Sequence, residues 1–340
     1  MNRSELETTA KAMVAKGKGI LAADESSGTI KKRFDSIKLT STEEARRTYR
    51  ELLFTAPGAA DHISGVIFYD ETLRQKTQDG TPFPQYLAKL GIVPGIKVDT
   101  GAKPLAGFAN ETITEGLDGL RERLAEYYGL GARFAKWRAV IDIADGIPSQ
   151  FAIDANAHAL ARYAALCQEA NIVPIVEPEV LMDGAHSIER CEAVTSATLA
   201  AVFAALYAHR VYLEGIVLKP NMVISGKKNA NRATPQQVAE ATVRTLKRYV
   251  PSAVPGIAFL SGGQSSAEAT EHLSLMNKLG PLPWELTFSY GRALQDEALK
   301  AWGGKPENFA AGQKAFFRRA KLNGLARSGS YTPKNEQDAA

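Results

Sequence analysis

Two lysines and three carboxylates stand where short apolar runs stop. Lys219 follows Ile216-Val217-Leu218. Lys136 interrupts Phe134-Ala135-Lys136-Trp137-Arg138. Glu177 and Glu179 follow Ile172–Val176, and Asp24 follows Gly19–Ala23. A charged side chain inside an apolar run is costly unless it is paired or useful. A lysine amine attacks a carbonyl only when unprotonated, and burial or a neighbouring cation favours that form. Lys219 and Lys136 can supply such a pairing. Glu177 and Glu179 can carry protons, and Asp24 can accept a hydroxyl proton or hold a lysine. This set suits imine chemistry: attack on a ketone, loss of water, then cleavage of a neighbouring carbon–carbon bond. A salt-bridge role for Glu177 and Glu179 with the lysines stands beside that reading.

The elements that must position these groups repeat along the chain. The apolar runs are Gly19–Ala23, Gly65–Tyr69, Pro94–Val98, Phe134–Ile141, Ile172–Val176, Gly215–Leu218, Ile257–Leu260 and Leu286–Ser289. Runs of this kind read as strands buried on both faces of a parallel sheet. Helical stretches lie between them. Ser41-x-x-Glu44 predicts a capping box opening Glu43–Phe54. Thr234-Pro235-Gln236-Gln237 opens a helix to about Tyr249, and Ser265-x-x-Glu268 opens one ending near Gly280. A leading helix carries Leu6, Ala10, Met13 and Val14 on one face. A trailing helix spans roughly Glu307–Leu322, with Asn323-Gly324 as its stop. Eight strand–helix repeats predict an α/β fold, a single (β/α)8 TIM barrel with an extra N-terminal helix. The barrel is expected over residues 1–326 and a flexible tail over 327–340. The runner-up, an open doubly wound sheet, would place a glycine-rich loop after the first strand, where Asp24-Glu25-Ser26 stands instead.

In a barrel the carboxyl ends of the strands share one mouth. Ser261-Gly262-Gly263 and Gly291-Arg292, after the seventh and eighth runs, offer backbone N–H groups and a forked guanidinium suited to a phosphate. Lys97 and Arg138, with Ser26 and Thr29 as hydroxyl partners, form a second basic zone. Two zones suggest a substrate with two phosphates.

Other classes are disfavoured. Net charge is +4 with no dense basic block, so nucleic acid is not expected as a partner. The five histidines, His62, His158, His186, His209 and His272, fall in no metal-ligand spacing, and no nucleotide-binding glycine loop occurs. No metal and no cofactor is expected. Two cysteines give no disulfide framework, the N-terminus lacks a targeting pattern, and no run of about 18 uncharged apolar residues suggests a membrane span. A cytoplasmic protein is expected.

Taken together, the motifs resemble class I fructose-bisphosphate aldolase, the metal-independent Schiff-base type. The resemblance rests on Gly19–Ser26, Gly95–Asp99, Phe134–Arg138, Ile172–Glu179, Leu213-Glu214-Gly215, Leu218–Met222, Phe259–Ser265, Thr287–Ala293 and Ala301–Gly304, in family order over about residues 10–333. It implies that Lys219 is the Schiff-base lysine and Glu177 the acid/base that dehydrates the carbinolamine. It further implies that Glu179 positions Lys219, Lys136 sits beside the imine, and Asp24 takes the C4-hydroxyl proton. Ser261, Gly262, Gly291 and Arg292 then match the phosphate site at the ketone end, and Ser26, Thr29 and Lys97 the other. A homotetramer acting on a sugar bisphosphate is implied. Two departures stand out. Familiar members end in a tyrosine that assists proton transfer at the enamine, whereas this chain ends Gln337-Asp338-Ala339-Ala340, with Tyr331 its last tyrosine. Position 29 is Thr where Ser is expected. Two other readings stay open at this point: a different Schiff-base ketose-phosphate enzyme, such as a transaldolase, and a non-catalytic scaffold on the same barrel.

Overall fold

The computed structural model describes residues 1–338. Ten strands run in chain order: β1 (Gly19–Ala23), β2 (Ile63–Phe68), β3 (Val93–Lys97), β4 (Gly101–Pro104), β5 (Thr112–Glu115), β6 (Phe134–Ile141), β7 (Val173–Val180), β8 (Val217–Leu218), β9 (Gly256–Phe259) and β10 (Glu285–Tyr290). Eight of them close a parallel barrel in the order β1-β10-β9-β8-β7-β6-β3-β2. The predicted (β/α)8 architecture is therefore the one observed.

The run composition explains the closure. Every residue of β1, β2 and β9 is buried, as a strand with helices outside and side-chain layers inside must be. Ile20, Ala22, Ile67, Phe134, Val173, Ile175, Val217 and Ala258 form one cluster with Leu6, Ala10, Met13 and Val14. The predicted apolar face of the leading helix (Arg3–Met13) thus closes on the barrel interior. Phe134 fills that interior so tightly that a Cβ on Gly95 would fall 2.2 Å from its ring.

Several local readings change. β4 and β5 form an antiparallel hairpin that the run pattern did not disclose. Thr112 and Thr114 hydroxyls donate to the carbonyls of Val140 (3.0 Å) and Arg138 (2.7 Å), laying the hairpin along β6. The helix Glu43–Phe54 is capped one residue later than expected: Thr42, not Ser41, accepts from the Ala45 N–H. The boxes at Thr234/Gln237 and Ser265/Glu268 form as predicted. The last long helix spans Phe309–Arg327 and runs straight through Asn323-Gly324. Gly324 is there for close approach rather than termination, since a Cβ would meet His62 Nδ1 at 2.8 Å and the Gly17 carbonyl at 2.9 Å. The helix Ile188–Ala208 has the length and apolarity of a membrane span, yet Val194, Leu199, Val202 and Leu206 are buried.

Residues expected as tail dock in part. Tyr331 is buried and its hydroxyl donates to Glu336 (2.7 Å), which also pairs with the buried Arg319 (2.6 Å). Ala339 and Ala340 of the expected tail lie outside the described residues.

Candidate active site

One cavity of about 370 Å³ opens at the carboxyl ends of the strands. It is lined by Asp24, Ser26, Thr29, Lys97, Lys136, Arg138, Glu177, Glu179, Lys219, Ser261, Gly262, Gly291 and Arg292, all named from the strand ends, whereas Gly263 of the Ser261-Gly262-Gly263 loop does not line it. Strand periodicity explains the convergence. Lys136 and Arg138 are two apart on β6, and Glu177 and Glu179 two apart on β7, so each pair shares one face of its strand. β7 extends through Val180, which puts Glu177 and Glu179 within the strand rather than beyond it. Lys219 follows the two-residue β8, and its N–H donates to the Val176 carbonyl at 2.8 Å.

The central charges form a chain of contacts. Lys219 Nζ lies 3.4 Å from Glu177 Oε1, and Glu177 Oε2 lies 3.8 Å from Lys136 Nζ. Lys136 Nζ in turn lies 2.8 Å from Asp24 Oδ2 and 3.7 Å from Asp99 Oδ2. All are buried or nearly so. Glu177 Oε2 is a buried oxygen with no hydrogen-bond partner.

Environment separates the two carboxyls. Burial raises Asp24, but Lys136 and Lys219 outweigh it and hold this carboxyl well below the usual range. Burial pushes Glu177 up, and its two lysine neighbours do not cancel that rise. Burial opposes the charge on Lys136, yet Asp24, Asp99 and Glu177 keep this amine well above its ordinary value.

The flanks are polar. Arg138 Nε bonds to Glu179 Oε2, and Lys97 Nζ lies 3.0 Å from Asp99 Oδ1. The Ser26 and Thr29 hydroxyls are 3.1 Å apart at the rim. After β10, the barrel neighbour of β1, Gly291 precedes the helix Arg292–Trp302, whose first N–H groups face outward from the helix end. A Cβ on Gly262 would stand 2.9 Å from Glu179 Oε1, so only glycine lets this loop come so close.

Sequence reasoning missed four polar side chains of the lining, those of Glu25, Arg33, Asp99 and Ser289. Asp99 stands two residues beyond Lys97 and follows the same strand-end pattern. Arg33 lies one turn past Thr29 on the helix Ser27–Asp35, a spacing that signals a shared face. Tyr331, the last tyrosine, does not line the cavity. Among the described residues no group of three or more His, Cys, Asp or Glu is arranged to hold a metal ion.

The family model for class I fructose-bisphosphate aldolase, the glycolytic family, matches residues 5–340. The chain belongs to the class I fructose-bisphosphate aldolase family. It is 59% identical over 332 residues to a Xanthomonas campestris protein named "Probable fructose-bisphosphate aldolase class 1", covering 97% of this chain and 99% of that one. It is 57% identical to fructose-bisphosphate aldolase 4, cytosolic, of Arabidopsis thaliana, over 93% of this chain and 80% of the relative. The Plasmodium falciparum fructose-bisphosphate aldolase, solved with TRAP and a small-molecule inhibitor, superposes with a TM-score of 0.95 at 53% identity, covering 97% and 95% of the two chains. Aldolase membership decides between the enzymatic readings in favour of this carbon–carbon lyase over a transaldolase.

Proposed function

We propose that this aldolase cleaves fructose 1,6-bisphosphate reversibly to dihydroxyacetone phosphate and glyceraldehyde 3-phosphate through an imine on Lys219. The observation that carries the reading is the opposite displacement of two carboxyls in one cavity, Asp24 down and Glu177 up. Groups pushed apart in this way take the roles of base and acid. Lys219 Nζ attacks the C2 ketone to give a carbinolamine. Glu177 donates a proton to the carbinolamine hydroxyl, water leaves, and the protonated imine forms. Asp24, kept ionised by Lys136, takes the C4-hydroxyl proton. The C3–C4 bond breaks, its electron pair flows to the imine as an enamine, and the aldehyde departs. Protonation at C3 and hydrolysis of the imine release the second product.

Lys136 stays charged through this sequence and steadies the anionic Asp24 carboxylate beside it. Glu179 holds Arg138 and braces the strand that carries Glu177. Ser261, Gly262, Gly291 and Arg292 hold the phosphate at the ketone end. Ser26, Thr29 and Lys97, with Arg138, hold the other. The thirteen residues act within one catalytic domain, residues 1–326. The test is Lys219→Met: cleavage falls to background while the thermal midpoint is retained. Cleavage at the wild-type rate overturns the assignment.

We also propose a cytoplasmic homotetramer, in line with the cytosolic relative in Arabidopsis thaliana. Light scattering on the purified chain checks the assembly, with four chain masses expected and one contradicting it.

A further inference from the structure

The strand carrying Lys219 is short. β8 has two residues, Val217 and Leu218, and its register with β7 covers only Ile175–Val217 and Val176–Leu218. One further backbone bond follows, from Lys219 N–H to the Val176 carbonyl at 2.8 Å. Backbone groups alternate sides along a strand, so the next donor on β7 facing β8 belongs to residue 178. Residue 178 is proline and has no N–H. The ladder therefore stops beside the two groups whose separation matters.

Asn221 takes up the pairing with its side chain. Its Oδ1 accepts from the Val180 N–H at 3.0 Å, the next donor on β7 facing β8. Its Nδ2 donates to Thr195 Oγ1 at 3.1 Å and to the Met222 carbonyl at 3.1 Å. Thr195 lies on the helix Ile188–Ala208. The amide is 1% exposed and both of its ends are satisfied. Lys219 thus lies between a backbone rung on one side and an amide rung on the other. Glu177 and Glu179 are bracketed by the same two rungs on β7.

We propose that Asn221 is a positioning residue for the reaction: its amide replaces the rung lost at Pro178 and holds Lys219 in register with Glu177. The inference rests on the reading of Lys219 as the imine-forming lysine. A buried, satisfied amide specifies one arrangement where Pro178 leaves the backbone unable to do so. Misplacing a reacting group by about 1 Å costs about 100-fold in rate.

The experiment compares the full chain with Asn221→Ala and Asn221→Asp. For each, kcat, KM, the thermal midpoint and the rate of borohydride trapping of Lys219 with dihydroxyacetone phosphate are measured. Asn221→Ala is expected to lower kcat and the trapping rate about 100-fold, with KM changed by less than about threefold. Asn221→Asp keeps the acceptor for Val180. When protonated it matches the amide in shape and donates in its place; when ionised it is a buried charge without a cation partner. Its kcat is expected to approach wild type at low pH and to fall as pH rises, a titration absent from wild type. If Asn221→Ala does not fold, the Asp profile alone decides. Wild-type trapping rates in Asn221→Ala, or an Asp variant with the wild-type pH profile, overturn the inference. Absence of an adduct on Lys219 in the wild-type chain overturns the imine reading itself, and the role of Asn221 with it.

Discussion

The Lys136 amine and the Asp24 carboxylate meet at 2.8 Å inside the barrel mouth, with Asp99 and Glu177 completing the shell around the amine. The pair keeps Asp24 ionised and Lys136 charged. Asp24→Asn removes the proposed base and leaves the cation. Cleavage of fructose 1,6-bisphosphate is expected to fall by 10²–10⁴, the usual range for losing a positioned proton acceptor. Imine formation with dihydroxyacetone phosphate, which has no C4 hydroxyl, is expected to persist. Equal loss of cleavage and trapping would contradict this division of labour.

Gly262 touches the same machinery from the other side. A Cβ there would stand 2.9 Å from Glu179 Oε1, whose carboxylate is fixed by Arg138. Gly262→Ala must push the loop or the carboxylate aside. Its kcat/KM for the bisphosphate is expected to fall about tenfold or more, against a rough 1.4 kcal/mol per tenfold, while the urea midpoint stays close to wild type. An unchanged kcat/KM would show that this approach is not used.

Stability depends on pH through a residue outside the cavity. His272 is buried, and its Nδ1 donates to Gln264 Oε1 at 2.6 Å, just past the Ser261–Gly263 loop. Burial pushes its imidazolium down to about 4, with Glu268 opposing and Arg232 reinforcing the shift. Between that value and the unfolded value near about 6.5 the unfolded chain binds the extra proton, so stability rises with pH across this window. The contribution is complete above about 6.5 and lost towards 4, on the order of 3 kcal/mol. Urea midpoints at several pH values are expected to drop on acidification, and less steeply in His272→Asn. Parallel slopes in the two proteins would rule the histidine out.

Gly324 gives a stability test remote from chemistry. Gly324→Ala presses a methyl against His62 and against the Gly17 carbonyl, and the carbonyl cannot swing away. A loss of about 1–3 kcal/mol is expected from such overpacking. Denaturant unfolding measures it, and kcat in the folded state should be unchanged. A stabilised variant would mean the contact yields freely.

Much of the site was legible because its charges break apolar runs. Lys136 and Arg138 within Phe134–Ile141, and Glu-Pro-Glu after Val176, are visible as interruptions, and a closed barrel brings all such ends to one mouth. Asp99 follows the same logic two residues past Lys97 but lies just beyond the end of the third apolar run at Val98. The β4–β5 hairpin was hidden because its residues are mostly exposed or half-buried and carry no apolar run. Gly324 read as a stop because a helical glycine needed for packing is indistinguishable from a capping one until His62 is seen against it. The docking of Tyr331 depends on Arg319 and Glu336, a pairing across 17 residues that no local pattern encodes.

Imine chemistry in this cavity requires attack by the Lys219 amine, 3.4 Å from Glu177. Incubating the chain with dihydroxyacetone phosphate and EDTA, reducing with borohydride and mapping the adduct by peptide mass tests it most directly. A substrate-sized adduct confined to the peptide carrying Lys219, formed with EDTA present, is the expected result. No adduct, together with activity abolished by EDTA, would contradict the imine mechanism outright.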